Sequence, residues 1–195
     1  MERVRVIVGL GNPGDEYRRT RHNAGFLALD RLAEAHGRPW AAERKFQAET
    51  TVVEFGGHPV LLVKPKTFVN RSGEAAAALA RYYKFDGSRF CAVYDDITLP
   101  PGRVKLSVGG GTGGHNGIAD LVNRIGNGFY RLRIGIGAKT EARMDLKDWV
   151  LGKISPAEEK PLEDAFAAAA DGMERLVVHG AERAMNRINT KSKAS

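Results

Sequence analysis

The strongest constraint on the fold lies in residues 4–37, VRVIVGLGNPGDEYRRTRHNAGFLALDRLAEAHG. Residues 4–10 are a nearly continuous β-branched run, which is the pattern of a strand buried on both faces. A glycine-rich turn at residues 9–14 follows, and an apolar stripe of helical spacing then runs through residues 21–36, with Thr20 as its candidate cap and Gly37 as its stop. A strand that ends in such a turn before a helix is typical of α/β proteins, whose sites lie at the carboxyl ends of the strands.

The rest of the chain repeats this alternation of strands and helices. Strand patterns cover residues 47–55, 59–63, 90–94, 103–108 and 131–137, and helical stripes follow Ser72, Asn116, Ser155 and Gly180. Gly56 and Gly57 predict a hairpin between the first two of these strands. Ser155, Pro156 and Glu158 predict a helix start with a capping box, followed by the apolar stripe Leu162, Phe166, Ala169, Met173 and Leu176. The sequence predicts an α/β fold, a single domain over residues 1–189 with a twisted, mixed and largely parallel central sheet flanked by helices. Residues 190–195, TKSKAS, are predicted to be a disordered tail.

The bulk properties narrow the class of partner. A formal net charge of +7 and a pI near 9.7 favour an anionic polymer such as nucleic acid, because Lys and Arg gain by displacing counterions from phosphates. Charge alone is equally consistent with solubility. Cys91 is the single cysteine and lies in the apolar run FCAVY, so we expect a buried thiol in a reduced compartment. No run approaches the roughly 18 apolar residues of a membrane span, so we expect a cytoplasmic protein without a membrane partner.

The turn GLGNPG fits the letter of the dinucleotide fingerprint GxGxxG, but its context does not. In a dinucleotide site the helix begins within the glycine turn, whereas here Pro13 removes a backbone donor and DEYRRT precedes the helix. No acidic residue closes a second apolar strand about 20 residues later, where a ribose would need it. A dinucleotide-dependent enzyme is therefore a weak alternative, and it predicts thermal stabilisation by NAD or NADP.

Candidate catalytic groups come where strands end. His22 falls in the first turn of the predicted helix, where the helix dipole disfavours protonation and so favours a neutral imidazole that acts as a base. Asn70 precedes the helix at Ser72, and taken alone it is more typical of a helix cap. Asp95 and Asp96 end a strand, and adjacent strand residues point to opposite sides, so they do not form an acid/base pair. No further oxygen ligand lies nearby in the sequence, so no metal site is predicted.

A glycine-rich segment, GGGTGGHNG at residues 109–117, lies between a strand and a helix. A phosphate loop would end in Gly-Lys-Ser/Thr, and this segment ends in His-Asn-Gly. Because a helical stripe starts directly after Asn116, the sequence predicts a mobile loop over an ordered junction rather than a linker. The strand RLRIGIG places Arg131 and Arg133 on one face. The sequence groups them into a candidate basic strip with three other cations, Arg103, Lys105 and Arg124.

A set of motifs occurs in a fixed order: GLGNPG with Tyr17, TRHNAG, KPxTFxNxSG, the Asp-Asp turn before LPPG, GGGTGGHNG, RLRIGIG and VLGK. Each alone is weak evidence, but their order and spacing are highly specific. From residue 4 to residue 189 the chain resembles the bacterial peptidyl-tRNA hydrolase family. The resemblance implies cleavage of the ester that joins a peptide to the terminal ribose of tRNA, a reaction that recycles tRNA from aborted translation.

The resemblance also implies a role for each matching residue. It implies that His22 is the general base, oriented by Asp95, and that five residues bind the substrate, namely Asn12, Tyr17, Phe68, Asn70 and Asn116. It assigns Lys105 and Arg133 to contacts with the tRNA. No metal or other cofactor is implied, the partner is peptidyl-tRNA through its acceptor stem and 3′ end, and a monomer is expected. The chemistry is consistent, because an ester is activated enough for one neutral imidazole and a few amide donors.

Three residues depart from the family pattern. Val69 stands where Met is common, Thr112 where His often occurs, and Ser107 where another basic residue is frequent. We expect altered loop or phosphate contacts with the chemistry retained. His115 is open between stabilising the loop and a direct role. A second hypothesis, an RNA-binding relative that has lost hydrolysis, predicts tight RNA binding without turnover, and the intact set of catalytic and substrate-binding residues disfavours it.

Overall fold

The structure is a computed structural model that describes residues 2–190. Its strands are β1 (Val6–Gly9), β2 (Ala41–Glu43), β3 (Ala48–Phe55), β4 (His58–Pro65), β5 (Phe90–Asp96), β6 (Val104–Val108) and β7 (Tyr130–Gly135). They form one seven-stranded sheet in the order β2-β3-β4-β1-β5-β7-β6. The α-helices of this range are α1 (Ala24–Ala35), α2 (Gly73–Tyr83), α3 (Asn116–Ile125), α4 (Leu146–Leu151), α5 (Pro156–His179) and α6 (Ala181–Asn189).

The sheet is parallel at its centre and antiparallel at its edges. β1 pairs in parallel with β4 and β5, and β5 pairs in parallel with β7, so these strands end at the same edge of the sheet. β3 and β2 extend one side in antiparallel fashion, and β6 closes the other side against β7. The register places Val8 between Val63 and Ala92. These pairings confirm the predicted α/β fold with a mixed sheet whose central strands are parallel.

Two layers of helices cover the two faces of the sheet, and β1 shows why both faces are apolar. Val6 and Val8 pack into a cluster with α2 and α3, whereas Ile7 belongs to a cluster with α1, α5 and α6. All three side chains are at most 1% exposed. Alternate residues of a strand point to opposite faces, so a strand covered on both sides needs the continuous apolar run that residues 4–10 provide.

The first helix begins later than predicted, at Ala24. Residues Arg21–Asn23 instead form a 3₁₀ turn, so His22 precedes α1 rather than lying in its first turn. Thr20 does not cap this segment: its side chain accepts no bond from the backbone of the turn, and its hydroxyl donates instead to the carbonyl of Tyr17. Hydroxyl bonds to nearby backbone groups compete with capping, which is why the pattern misplaced this helix start.

Other local predictions are confirmed. Gly56 and Gly57 join β3 to β4 with φ of 55° and 79°, the left-handed conformation that a two-residue hairpin turn needs. Ser155 forms a capping box with Glu158 at the start of α5, and Pro156 is the first helical residue. Burial confirms the apolar stripe predicted for this helix, which consists of Leu162, Phe166, Ala169, Met173 and Leu176.

Three further predictions concern the C-terminal tail, membrane-spanning segments and Cys91. Residues 191–195, nearly all of the tail predicted to be disordered, lie outside the described residues. Thr190 donates its hydroxyl to the carbonyl of Asn186 in α6. None of the helices in residues 2–190 combines the length and the apolar character needed to cross a membrane. Cys91 is fully buried in β5, as predicted. Burial raises the pKa of its thiol to about 12, so it is unsuited to be a nucleophile.

Candidate active site

A cleft of about 860 Å³ opens at the edge where the parallel strands end. Most of the residues predicted for catalysis or binding line this cleft, namely Asn12, Tyr17, His22, Phe68, Asn70, Asp95, Asn116 and Arg133. Lys105 is the exception, and it lies exposed on β6 outside the lining. The lining residues come from distant parts of the chain, so the cleft exists only in the folded protein.

His22 is held at the cleft by close packing of the helix that follows it. At Gly25, in the first turn of α1, an added Cβ would lie 2.1 Å from the carbonyl oxygen of Val93 and 2.7 Å from the amide nitrogen of Leu10. Only glycine permits this approach of α1 to β1 and β5. The motif TRHNAG thus places the histidine next to the end of β5, where Asp95 lies.

His22 and His115 share the carboxylate of Asp95. Nδ1 of His22 lies 2.9 Å from Oδ2 of Asp95, and Nε2 of His115 lies 2.9 Å from Oδ1. The centroids of the two imidazole rings are 4.9 Å apart. Asp95 is 4% exposed, so both of its oxygens depend on these bonds. The structure brings the predicted base and its orienting carboxylate together and adds His115, whose role the sequence left open.

The hydrogen bonds determine which ring nitrogens carry protons. Nδ1 of His115 accepts from the amide N–H groups of Gly117 and Ile118 at the start of α3, so its proton is on Nε2, which donates to Asp95. The other carboxylate oxygen can only accept, so Nδ1 of His22 is the donor. In neutral His22 the free lone pair is therefore on Nε2. A general base needs this state.

Asp95 raises the pKa of His22 against the opposing effect of burial. Burial lowers this pKa, but the charge of Asp95 and its hydrogen bond together outweigh burial, and the net shift is upward. This corrects the expectation that the helix dipole keeps the imidazole neutral, because the carboxylate is in direct contact and His22 lies in a 3₁₀ turn that precedes α1. Burial by itself would raise the pKa of Asp95, but the positive charge that either His115 or His22 carries when protonated, together with the hydrogen bonds of both rings, holds it below its ordinary value.

The same three side chains have the spacing of a metal site, because one ligand atom from each lies within 4.8 Å of the others. Metal binding through Nε2 of His115 would move its proton to Nδ1, which faces two amide N–H donors. The N–H group formed at Nδ1 would then face two other N–H donors, and His115 could no longer accept their bonds as the cap of α3. The donor set therefore favours a hydrogen-bonded network over a metal centre, and the absence of a metal stays a prediction.

The three predicted asparagines line the cleft in different ways. Asn12 is buried, and its Oδ1 accepts from the amide of Val69 at 2.8 Å, which leaves its Nδ2 group as a donor. Asn23, which the sequence did not identify as a site residue, holds the backbone of Asn12 through bonds of 2.8 and 2.9 Å. Asn70, in a 3₁₀ turn before α2, and Asn116, the first residue of α3, are exposed. Amides in such positions can bind a carbonyl oxygen or a water molecule.

Aromatic and aliphatic side chains form the walls of the cleft. Tyr17 and Phe68 meet edge to face, with ring centroids 6.2 Å apart. Phe68 is 57% exposed, and Val108 and Leu146 elsewhere in the lining are 50% and 38% exposed. Exposed apolar groups gathered in a concave site are typical of a ligand-binding surface. The cleft can therefore hold an apolar part of a ligand beside the polar network.

The predicted basic strip is only partly correct. Lys105 lies directly across from Arg133 in the pairing of β6 with β7, and Arg133 forms an ion pair with Asp96 at 3.1 Å. Arg131 is 2% exposed and bonded to loop carbonyls, so it does not belong to an exposed strip. Two other cations of the predicted strip are also bonded: Arg103 donates to the carbonyl of Asn189 in α6, and Arg124 pairs with Asp120 in α3.

Arg21 is a further residue near the site that the sequence did not identify. Its guanidinium lies 3.7 Å above the ring of Trp149 and forms a bidentate pair with Glu158 at 2.8 and 2.9 Å. Trp149 belongs to α4 and Glu158 to α5, so Arg21 connects the turn that carries His22 to both helices. The partners are 128 and 137 residues away in the chain, so no local pattern indicates this contact.

Comparisons with known proteins cover nearly the whole chain. The family model described as Peptidyl-tRNA hydrolase matches residues 6–195. The peptidyl-tRNA hydrolase of Anaeromyxobacter sp. (strain K) is 43% identical over 193 residues, which are 98% of this chain and 100% of that protein. The Haemophilus influenzae protein of the same name is 43% identical over 192 residues, 97% and 98% of the two chains. The crystal structure of peptidyl-tRNA hydrolase from Acinetobacter baumannii is 38% identical, with a TM-score of 0.91 over 98% of this chain and 97% of that one. This chain belongs to the peptidyl-tRNA hydrolase family.

Proposed function

We propose that this protein hydrolyses the ester bond between a peptide, or an N-blocked aminoacyl group, and the 3′-terminal ribose of tRNA. Membership of the family and the shared fold support hydrolysis of peptidyl-tRNA. At the level of residues, the supporting observation is the 2.9 Å bond from Nδ1 of His22 to Asp95, which leaves Nε2 free in a cleft lined by asparagine amides. The biological role is the recycling of peptidyl-tRNA released prematurely from ribosomes.

In the proposed reaction, Nε2 of His22 takes a proton from a water molecule while the water oxygen attacks the ester carbonyl carbon. Asp95 accepts the N–H of Nδ1 and stabilises the imidazolium that forms. Amide N–H donors of Asn12, Asn70 and Asn116 position the peptide and the water and stabilise the negative charge on the carbonyl oxygen. The bond from the carbonyl carbon to the ribose oxygen then breaks, and the imidazolium returns its proton to that oxygen. The products are tRNA with a free terminal hydroxyl and a peptide carboxylic acid, which keeps the second proton of the water until it ionises to a carboxylate in solvent.

The remaining site residues are proposed to bind the two ends of the substrate. Tyr17 and Phe68 contact the peptide, because they form an apolar wall in the same cleft as the asparagines. The partner is peptidyl-tRNA through its acceptor stem and 3′ end. The protein acts as a cytoplasmic monomer without a cofactor.

The direct test measures release of N-acetylphenylalanine from N-acetylphenylalanyl-tRNA by the purified protein with a chelator present. We expect multiple turnovers with the chelator present, because the proposed base and its orienting group are both side chains and the proposed reaction uses no metal. Tight RNA binding without turnover would instead support the RNA-binding relative as the function. That alternative is disfavoured because His22, Asp95 and the asparagines all lie in one cleft.

Lys105 and Arg133 are proposed to contact phosphates of the acceptor stem, since they face each other on β6 and β7 beside the cleft. Lys105→Ala is expected to raise KM for N-acetylphenylalanyl-tRNA by about five- to tenfold and to change kcat by less than about twofold, because phosphate contacts position the tRNA without taking part in the chemistry. The slope of log KM against log salt concentration should decrease by about one unit. Steady-state kinetics at several salt concentrations measures both effects, and an unchanged slope in Lys105→Ala and Arg133→Gln would contradict these contacts.

A further inference from the structure

The glycine loop, residues 109–114, is attached to β7 by Arg131. The guanidinium of Arg131 donates to the carbonyls of Gly111 and Gly110, at 2.5 and 3.1 Å, and to the side-chain oxygen of Asn127. Asn127 in turn donates to the carbonyl of Gly110 at 3.1 Å. Because Arg131 is 2% exposed, the loop that the sequence predicts to be mobile rests on a buried side chain whose two terminal NH₂ groups are both bonded.

These bonds determine the direction of two peptide groups. Residues 2–190 contain no cis peptide bond, and in a trans peptide the carbonyl of one residue points opposite to the N–H of the next. Since the carbonyls of Gly110 and Gly111 are directed at Arg131, the N–H groups of Gly111 and Thr112 point away from it, toward the exposed side of the loop. Neither of these two N–H groups donates a hydrogen bond to any other described residue.

The positive charge behind these donors is not neutralised by a carboxylate. Within the described part of the chain Arg131 forms no ion pair, and its bonded partners are two carbonyls and an amide oxygen. A cation that bonds to a peptide carbonyl polarises that peptide and strengthens the N–H group on its other side as a donor. Successive N–H groups that point the same way form a concave site for an anion.

The position of the loop identifies the class of anion. The loop starts where β6 ends and finishes at His115, which bonds to Asp95. Its residues line the cleft, and so does Arg133 on β7. A substrate that reaches from His22 to the proposed tRNA contacts on β6 and β7 therefore passes the loop. The anionic groups that such a substrate presents there are the phosphodiesters of its RNA backbone.

We propose that the glycine loop binds a phosphodiester of the substrate RNA through the N–H groups of Gly111 and Thr112, with Arg131 as the positioning residue that turns these groups outward. The inference rests on the proposed function, because it takes the substrate to be an aminoacylated RNA. Backbone donors contact phosphate without reading a base, so this site is compatible with many tRNAs.

Two substrates with the same ester separate this site from the catalytic centre. One is N-acetylphenylalanyl-tRNA, and the other is 3′-O-(N-acetylphenylalanyl)adenosine, which contains no phosphate. Arg131→Lys and Arg131→Gln, which cannot reproduce the fork that holds both carbonyls, are expected to raise KM for the tRNA substrate by about tenfold and to change kcat by less than about threefold. For both variants, kcat/KM for the adenosine ester should stay within about twofold of the wild-type value, because no phosphate contact is lost.

Gly111→Pro tests the N–H group itself, because proline removes that donor. The backbone at Gly111 is outside the left-handed region, and a Cβ there would have no neighbour within 4 Å. We expect a rise in KM for the tRNA substrate and none for the adenosine ester. Arg175→Lys, on α5 and paired with Asp171, is the matched control and should leave both substrates unaffected.

The outcomes are distinguishable. Equal losses on both substrates would mean that Arg131 only supports the cleft, and an unchanged KM in Gly111→Pro would exclude the N–H site, so either result overturns the inference. Deacylated tRNA should inhibit the wild type more strongly than Gly111→Pro, whereas a variant defect confined to inhibition by inorganic phosphate would overturn the assignment to RNA. Failure of the wild type to turn over the tRNA substrate would refute the proposed function itself. Wild-type turnover with unaffected variants would refute only the loop site.

Discussion

His22→Ala is expected to reduce kcat for N-acetylphenylalanyl-tRNA by about 10³-fold, within the usual range for loss of a general base. The variant lacks the Nε2 atom that takes the proton from water. His115 cannot replace it, because its Nε2 donates to Asp95 and its Nδ1 accepts from the start of α3. KM should change little, because the proposed phosphate contacts are untouched. Steady-state kinetics of the purified variant measures both constants.

His179→Ala is the matched control for this experiment. His179 is an exposed histidine at the end of α5 and does not line the cleft, so its kcat should equal that of the wild type. Thermal unfolding of His22→Ala establishes that the variant is folded. A kcat for His22→Ala within about fivefold of the wild-type value would show that His22 is not the general base.

Asp95→Asn is expected to reduce kcat by about 10²- to 10⁴-fold, although the size of the side chain is kept. The carboxylate accepts from both imidazoles, whereas an amide has one oxygen and one NH₂ group, so one histidine then faces a donor. If that histidine is His22, its Nδ1 must become an acceptor, and the proton moves to Nε2 and removes the base. If it is His115, its Nε2–H group meets a donor, and the ring loses the bond that positions it as the cap of α3.

The pH profile distinguishes this orienting role from a merely structural one. Because Asp95 raises the pKa of His22, loss of the carboxylate lowers that pKa. The active form of the base is unprotonated, so the wild-type kcat/KM falls as the pH drops through the raised pKa, and in Asp95→Asn the fall moves to lower pH. Asp171→Asn, on α5 away from the cleft, should keep the wild-type profile. A lower kcat without any shift of the acid limb would contradict the orientation of His22 by Asp95.

Much of the fold follows from signals that act over a few residues. The β-branched run of residues 4–10 predicts a strand covered on both faces, and β1 is such a strand. The glycines at 56 and 57 predict the hairpin, and Ser155 with Glu158 predicts the start of α5. The start of α1 was predicted wrongly because the local pattern does not show whether the side chain of Thr20 accepts a bond from the helix start, and in the structure it only donates to the carbonyl of Tyr17.

Which residues line the cleft was predictable for a different reason. The motifs carry His22, Asp95 and the three asparagines in a specific order, and each follows a strand or precedes a helix. Because parallel strands end at one edge of a sheet, such residues meet there once the strands are paired. Their distances and protonation states do not follow from that rule. The bonds of Asp95 to His22 and His115 span 73 and 20 residues, and they depend on how α1 and α3 pack against β5.

By itself, the sequence determined the succession of strands and helices, the family, and the side chains available for chemistry. Only the tertiary structure decided which charged side chains are buried and which partners each one bonds to. Arg131 and Arg133 share one face of β7, yet Arg131 is buried under the glycine loop and Arg133 lines the cleft beside Asp96. Alternation along a strand gives the face on which a side chain lies, whereas burial and hydrogen-bond direction depend on groups far away in the chain. For this reason the sequence predicted only a mobile loop at residues 109–114, whereas the folded structure shows that its bonds to Arg131 orient the backbone N–H groups.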